Sequence, residues 1–141
     1  MIEHLSNFPA DVAAFRCKGH VTKADYESVL VPAVVKALAE VGVERYHADL
    51  VVGAKTYFMP NGDCETVASH TSKTTADAFN GDAVEAALRA IQRGAISYTT
   101  FCDRIAEAGC VGYFVSLKGK RALYYGRTND VFVEWFPGAR P

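Results

Sequence analysis

The sequence predicts an α+β fold in which a helix followed by an antiparallel three-stranded β-meander occurs twice, packed as a two-layer sandwich. One observation is the stretch Ala106–Phe136, where three short β-type runs are separated by two turn signals. The other is an echo of this stretch 67 residues upstream, over Ala39–Val67. Chance would give about two identities between these stretches. The gapless alignment has seven: Ala39/Ala106, Glu40/Glu107, Gly42/Gly109, Tyr46/Tyr113, Leu50/Leu117, Tyr57/Tyr124 and Asp63/Asp130.

Length and composition indicate one globular domain. A chain of 141 residues can bury about 68% of the surface that its unfolded form exposes. Half of its residues are hydrophobic and 22% are charged, which argues against a disordered or fibrous protein. We divide residues 1–141 into a lead-in (1–22), a first repeat (23–69), a linker (70–81) and a second repeat (82–138). The net charge of −1 lacks the basic excess of nucleic-acid-binding domains, so we expect no nucleic-acid partner.

The sequence also bears on the compartment. Its first residues, MIEHLSNFPADV, lack the basic start and apolar run of a signal peptide. The longest apolar run, Val29–Val35, is interrupted by Pro32 and is too short to span a bilayer. None of the four cysteines belongs to a Cys-x-x-Cys pair. We therefore expect a cytoplasmic protein with reduced thiols and no membrane partner.

The first unit begins with an ambiguous lead-in. Alternating apolar residues over Val12–Val21 predict a strand, whereas the alignment of this region with the helix at 82–93 favours a helix. Thr22 is a candidate N-cap for a helix that reaches Leu38 and ends at Gly42, either kinked at Pro32 or restarted there. The first meander then comprises predicted strands at Glu44–Val51, Lys55–Met59 and Cys64–Ser69, with turns at Gly53 and Asn61-Gly62.

The linker is polar except for Phe79, which we expect to contact the core. Asp82 is predicted to cap a helix that ends at Arg93-Gly94 and carries a Glu85–Arg89 pair. Ser97 is predicted to cap the next helix, which ends at Gly109. The last predicted strands are Val111–Leu117, Arg121–Gly126 and Asp130–Phe136.

Large apolar residues occupy both faces of this second meander. Tyr113 and Val115 share one face, and Phe114 lies on the other. A single layer of helices covers only one face of a sheet, so either the other repeat or a second subunit must pack against the remaining face. We expect a homodimer.

Both meanders resemble one family. The segments GVERYHADLVVGAKTYFMPNGD and AGCVGYFVSLKGKRALYYGRT, followed by VEWFP, resemble the YdfO-like family of small bacterial and prophage proteins, sometimes labelled phage envelope proteins. The resemblance covers about residues 31–138 and implies an α+β fold with no established activity. Residues 1–38 instead resemble the opening segment of SpoIIAA-like proteins, which are related to the STAS fold.

Two groups of residues are candidate sites. His47, Asp49, Cys64 and His70 could bind a divalent metal such as zinc, or supply a Cys–His nucleophilic pair, although their spacing matches no ligand signature and ordinary surface polarity is the alternative. The other group could line a cleft between the repeats for a small anion or planar ligand, or be cross-strand and core aromatics. It comprises Tyr57, Tyr124, Tyr125 and Arg127.

The basic cluster Lys118, Lys120 and Arg121 is interpreted as a solvated hairpin tip, with an anion contact as the alternative. Cys102 and Cys110 are expected to be small buried apolar residues. No glycine-rich phosphate loop, His-Glu-x-x-His or Gly-x-Ser-x-Gly motif is present. The sequence therefore favours a self-associating interaction or accessory protein of prophage-related ancestry, without a cofactor, over a ligand- or metal-binding module or a minor Cys/His enzyme.

Overall fold

The computed structural model describes residues 2–5, 14–17 and 31–139. Their order is β1 (Ile2–Leu5), β2 (Ala14–Cys17), α1 (Val31–Glu40), β3 (Arg45–Asp49), β4 (Ala54–Phe58), β5 (Cys64–Ala68), α2 (Gly81–Gln92), α3 (Tyr98–Glu107), β6 (Cys110–Ser116), β7 (Arg121–Gly126) and β8 (Val131–Trp135).

Six of the strands form one antiparallel sheet in the order β5-β4-β3-β6-β7-β8. Strands β3, β4 and β5 are sequential neighbours, as are β6, β7 and β8, and the pairing of β3 with β6 joins the two groups. The predicted α+β class is therefore confirmed. Because the two groups lie side by side in one sheet, neither of them packs on the face of the other. Strands β1 and β2 form a separate antiparallel pair.

The described strands agree with the predicted ones to within one or two residues at most ends. Arg121–Gly126 matches in full, because its ends are fixed by two turns in which Lys120 and Asn129 adopt positive φ. In the lead-in, residues 14–17 form a strand, so the suggested helix is wrong for these four residues. Thr22 lies outside the described residues. Pro32 is the second residue of the described helix α1, and any kink or restart upstream of it also lies outside them.

The two faces of the sheet differ in chemistry, and the strand register defines them. Residues paired across antiparallel strands lie on the same face, and alternate residues along a strand lie on opposite faces. We call the face that packs against α2 and α3 the helix side. Its residues on the central strands are Tyr46, Ala48, Tyr113, Val115, Ala122 and Tyr124. We call the opposite face, which includes His47, Phe114 and Tyr125, the reverse face.

The hydrophobic core lies between the helix side and the two helices. Helix α2 contributes Val84, Ala87, Leu88 and Ile91, and helix α3 contributes Phe101 and Ile105, all of them buried as their spacing predicts. Cys102 and Cys110 are buried in the same core, as expected from the sequence. Burial raises the pKa of the Cys110 thiol to about 11, so this residue is a packed apolar side chain and not a thiolate.

One predicted helix cap is wrong. Asn80, not Asp82, caps α2, because the Asn80 backbone is extended and its side-chain oxygen accepts a hydrogen bond from the Ala83 N–H at 3.1 Å. Asp82 lies in the first helical turn, where its charge faces the positive end of the helix dipole. The predicted cap of α3 is confirmed, since the Ser97 hydroxyl accepts the Thr100 N–H at 3.1 Å.

The linker packs along the carboxyl end of α3. The Ala76 N–H donates to the Ala106 carbonyl at 3.1 Å, and the Asn80 N–H donates to the Ala108 carbonyl at 2.7 Å. Gly109 ends the helix with φ +89°, and a side chain there would collide with the backbone of Ala78. Phe79 packs against the core, which confirms its expected role as the contact of this segment.

Candidate functional site

The reverse face carries three rows of side chains that run across all six strands. The middle row has no acidic or lysine/arginine residue; from β5 to β8 it reads Thr66, Thr56, His47, Phe114, Leu123 and Val133. Phe114 is 43% exposed although it lies on a central strand. Phe114 is continued in this row by Leu123 and Val133, and a contiguous apolar patch is typical of an interaction surface.

A three-ring cluster occupies the centre of this face. Nε2 of His47 and the hydroxyl oxygen of Tyr125 lie 2.7 Å apart and form a hydrogen bond. The ring of Phe114 lies 4.4 Å from that of His47 and 5.7 Å from that of Tyr125, measured between centroids. The cluster therefore joins β3, β6 and β7 through both ring packing and a polar contact.

Gly112 makes this cluster possible. Tyr125 is the cross-strand partner of Gly112, which in turn pairs with Asp49 on β3. A Cβ at position 112 would lie 2.8 Å from the Tyr125 hydroxyl oxygen and 2.5 Å from the Ala48 carbonyl oxygen. Because glycine has no side chain, the tyrosine can reach across β6 to His47.

Burial governs the protonation of the cluster. Partial burial lowers the pKa of His47, and the carboxylate of Asp49 opposes this shift more weakly. Burial also raises the pKa of Tyr125, with a smaller contribution from Asp49 in the same direction. Both groups are therefore favoured in their neutral forms, linked by a neutral hydrogen bond. Asp49 itself accepts the N–H groups of Val51 and Val52 at 2.9 Å each, which fixes the following turn.

The row at one end of the reverse face contains two arginine–aromatic stacks. The guanidinium carbon of Arg45 lies 4.2 Å from the centroid of the Phe58 ring, and that of Arg121 lies 4.9 Å from the Trp135 ring. Ser116 lies between the two arginines in the same row. Arg45 also pairs with Glu44 at 3.6 Å, whereas none of the ion pairs between described residues includes Arg121, so this end of the face keeps a net positive charge. The opposite end carries Asp49.

On the helix side, Lys55 lies among tyrosines, and this group is not among the sites that the sequence predicts. Nζ of Lys55 lies 4.7 Å from the centre of the Tyr98 ring, and the hydroxyl oxygens of Tyr98 and Tyr113 lie 2.6 Å apart. One usable signal is present in the sequence, because alternation along the strand places Lys55 on the same face as Tyr57. Recognising its partner Tyr98 required the position of α3.

The chain matches one family over most of its length. The family described as "Protein of unknown function (DUF1398)" matches residues 21–134. The chain belongs to this family. No curated protein matches it.

The DUF1398 match spans both meanders and both candidate sites, but the predicted site residues do not all meet. Cys64 is exposed on the edge strand β5, and two strand spacings plus a two-residue step separate its backbone from that of His47, about 12 Å. His70 lies in the linker, where its Nε2 contacts Oδ1 of Asp103 at 2.8 Å. Only His47, Asp49 and Tyr125 lie together.

The remaining predicted residues also separate. Tyr57 lies on the helix side and Tyr125 on the reverse face, so the two do not line a common cleft. Arg127 follows β7 and pairs with Asp77 at 3.7 Å. Tyr124 is buried in the core, as the alternative interpretation predicted. Among residues 2–5, 14–17 and 31–139 of this DUF1398 member, no group of three or more His, Cys, Asp or Glu side chains could hold a metal ion.

Two surface hollows accompany these features. The larger, about 470 Å³, lies along α2 and β8 and is crossed by the Arg89–Glu134 ion pair of 2.8 Å. The smaller, about 280 Å³, is lined by the linker and α3 around His70 and Asp103. The hydrogen bond from His70 is the main cause that lowers the pKa of Asp103. In the larger hollow Arg89 pairs with Glu85 and Glu134, and in the smaller one His70 pairs with Asp103. Within the described part of this DUF1398 member, no helix is long and apolar enough to cross a membrane.

Proposed function

We propose that this chain is a cytoplasmic interaction protein that self-associates through the reverse face of its sheet. The observation that carries the proposal is the uncharged middle row with Phe114 at its centre. The exposed side chain of Val131, at 52%, continues the apolar surface towards β8. Removing the apolar side chains of this face from water lowers the free energy and so favours association. The proposal assigns the chain a binding role and not a catalytic one.

The charges of the face favour a second copy as the occupant. Arg45 and Arg121 lie in the row at one end, and Asp49 lies in the row at the other end. A two-fold axis parallel to the sheet and perpendicular to the strands places the arginine row of one copy over the Asp49 row of its partner. The surface is therefore self-complementary, as a two-fold interface requires. The three-ring cluster then lies near the axis.

The size of the face is that of a weak, reversible interface. Six strands at about 4.8 Å spacing and five residues at about 3.3 Å each give a projected area of roughly 400 Å². A standard interface buries about 800 Å² per partner. We therefore expect a dimer that dissociates on dilution and not an obligate one.

Sedimentation equilibrium over a hundred-fold concentration series tests the proposal. The wild-type chain should pass from monomer to dimer, and Phe114→Ser should remain monomeric. Val52→Ser is the matched control, because Val52 is 71% exposed in a turn outside the reverse face and should not change the equilibrium. A wild-type mass of one chain at every concentration, or a Phe114→Ser dimer of unchanged affinity, would refute the proposal. We expect no change in anisotropy with a fluorescent single-stranded oligonucleotide, and binding that Phe114→Ser abolishes would assign the face to nucleic acid instead.

We further propose that the two meander units arose by duplication and that the family is YdfO-like and of prophage-related ancestry. The duplication is supported by a constant offset of 67 residues: α1, β4 and β5 start at residues 31, 54 and 64, and α3, β7 and β8 start at 98, 121 and 131. The ancestry is supported only by the resemblance of both meanders. Mapping the genomic neighbourhoods of family members tests it, and a distribution without prophage genes would contradict it.

A further inference from the structure

Lys55 is a cation without an acidic partner among the described residues. It lies on the helix side of β4, where its Nζ is 4.7 Å from the centre of the Tyr98 ring. None of the ion pairs between described residues includes it. A half-buried ammonium that lacks a carboxylate loses hydration without full compensation, so its position favours an added anion.

The groups around Lys55 suit an anion. The Tyr98 and Tyr113 hydroxyls lie 2.6 Å apart and share one hydrogen bond, and Tyr98 also hydrogen-bonds with Cys102, so the hydroxyl pair forms a polar patch beside Lys55. Tyr57 lies two residues along the same strand on the same face, and its ring lies 5.3 Å from that of Tyr46. Tyr98 is also the first residue of α3, so the positive end of a ten-residue helix faces the same region.

The region is accessible to solvent. Tyr98 is 39% exposed, and Val67, the cross-strand partner of Lys55, is 37% exposed. Burial lowers the pKa of Lys55, and the nearby Cys102 thiol opposes that shift more weakly. A bound anion would raise this pKa again, because it favours the charged form of the amine.

We propose that Lys55, Tyr57 and the Tyr98–Tyr113 hydroxyl pair form a site for a small organic anion, whose carboxylate or phosphate group pairs with the Lys55 ammonium. The tyrosine rings supply an apolar wall for the rest of the ligand. This site is independent of self-association, because it lies on the opposite side of the sheet from the reverse face.

NMR titration and thermal melting with sodium benzoate and inorganic phosphate, each against sodium chloride at equal ionic strength, test the proposal. The wild-type chain should bind at least one of the two anions. Lys55→Met, which keeps the length of the side chain and removes its charge, should weaken that binding by about tenfold or more. In the absence of anions, the Lys55→Met variant should melt at a higher temperature than the wild-type chain, because it lacks the half-buried Lys55 charge. Lys36→Met is the matched control, since the Lys36 side chain is 78% exposed, and it should bind as wild type does.

Two results would overturn the proposal: no binding of either anion by the wild-type chain, or equal binding by Lys55→Met. If the Lys55→Met variant does not fold, the site is tested instead by reductive methylation of lysines in the wild-type chain. The bound anion should slow methylation of Lys55 and leave the rate at Lys36 unchanged. Equal rates at Lys55 with and without both anions would exclude the site.

Discussion

Replacing Gly112 with alanine perturbs the reverse face at one atom. The added Cβ would lie 2.5 Å from the Ala48 carbonyl oxygen and 2.8 Å from the Tyr125 hydroxyl oxygen, both shorter than real Cβ contacts. Forcing such an atom into a packed site costs about 1–3 kcal/mol. If Tyr125 moves away, the loss of its hydrogen bond to His47 adds about 0.5–1.5 kcal/mol. The reduced entropy of the unfolded chain returns about 0.4–1 kcal/mol. We therefore expect a net loss of about 0.5–4 kcal/mol.

Urea unfolding followed by fluorescence measures this loss. Gly81→Ala is the matched control, because its Cβ would meet nothing closer than 3.8 Å and its backbone conformation suits alanine. This control should be neutral or more stable by up to about 1 kcal/mol. In a Tyr125→Ala background, Gly112→Ala should cost less, because one of the two close contacts has gone. A cost below about 0.5 kcal/mol in the wild-type background would contradict the close approach of Tyr125 to β6.

Three further predictions test other parts of the structure. The pKa of His47 is lowered in the folded chain. Its contribution to stability should therefore be complete above pH 6.5 and should be lost as the pH falls through the folded-state pKa. In His47→Gln, this part of the curve of unfolding free energy against pH should be flatter. Asn80→Ala should cost about 1 kcal/mol of unfolding free energy in urea, because it removes the cap of α2, and Asp82→Asn should cost less. Iodoacetamide should label Cys64 in the native chain within minutes, while Cys102 and Cys110 react only on unfolding, as peptide mass mapping would show; fast labelling of either buried thiol would contradict their packing.

Most of the strands could be predicted because their signals are local. Alternation over Arg45–Asp49 and the positive-φ turn residues around β7 specify strand positions without knowledge of distant contacts. The predicted cap of α2, Asp82, is wrong because Asn80 and Asp82 are both good capping residues. Only the extended backbone at Asn80 decides between them. The pairing of β3 with β6 could not be predicted, because both meanders have two edges and nothing local selects which edges meet.

The candidate sites could be predicted only in part for the same reason. His47 and Asp49 were found because alternation along one strand places them on one polar face. Their partner Tyr125 is 78 residues from His47 in the sequence and comes close only through the β3–β6 pairing and the absence of a side chain at Gly112. The prediction that Cys64 and His70 lie near His47 requires knowledge of how far the hairpins separate these residues, and the linear sequence does not contain that distance.

The differences between the two units indicate where binding is concentrated. At the constant offset of 67 residues, Tyr57 corresponds to Tyr124, which is a tyrosine buried in the core. Lys55, in contrast, corresponds to Ala122, which is buried under the helices with 7% exposure. A lysine at that place in the second unit would lie in the core. In the first unit the lysine at this place is only partly buried, and residues 14–17, which correspond to the start of α2, form strand β2 and not a helix. The cation of the proposed anion site thus lies at a place where the two units differ in burial, so we expect the second unit to lack an equivalent site.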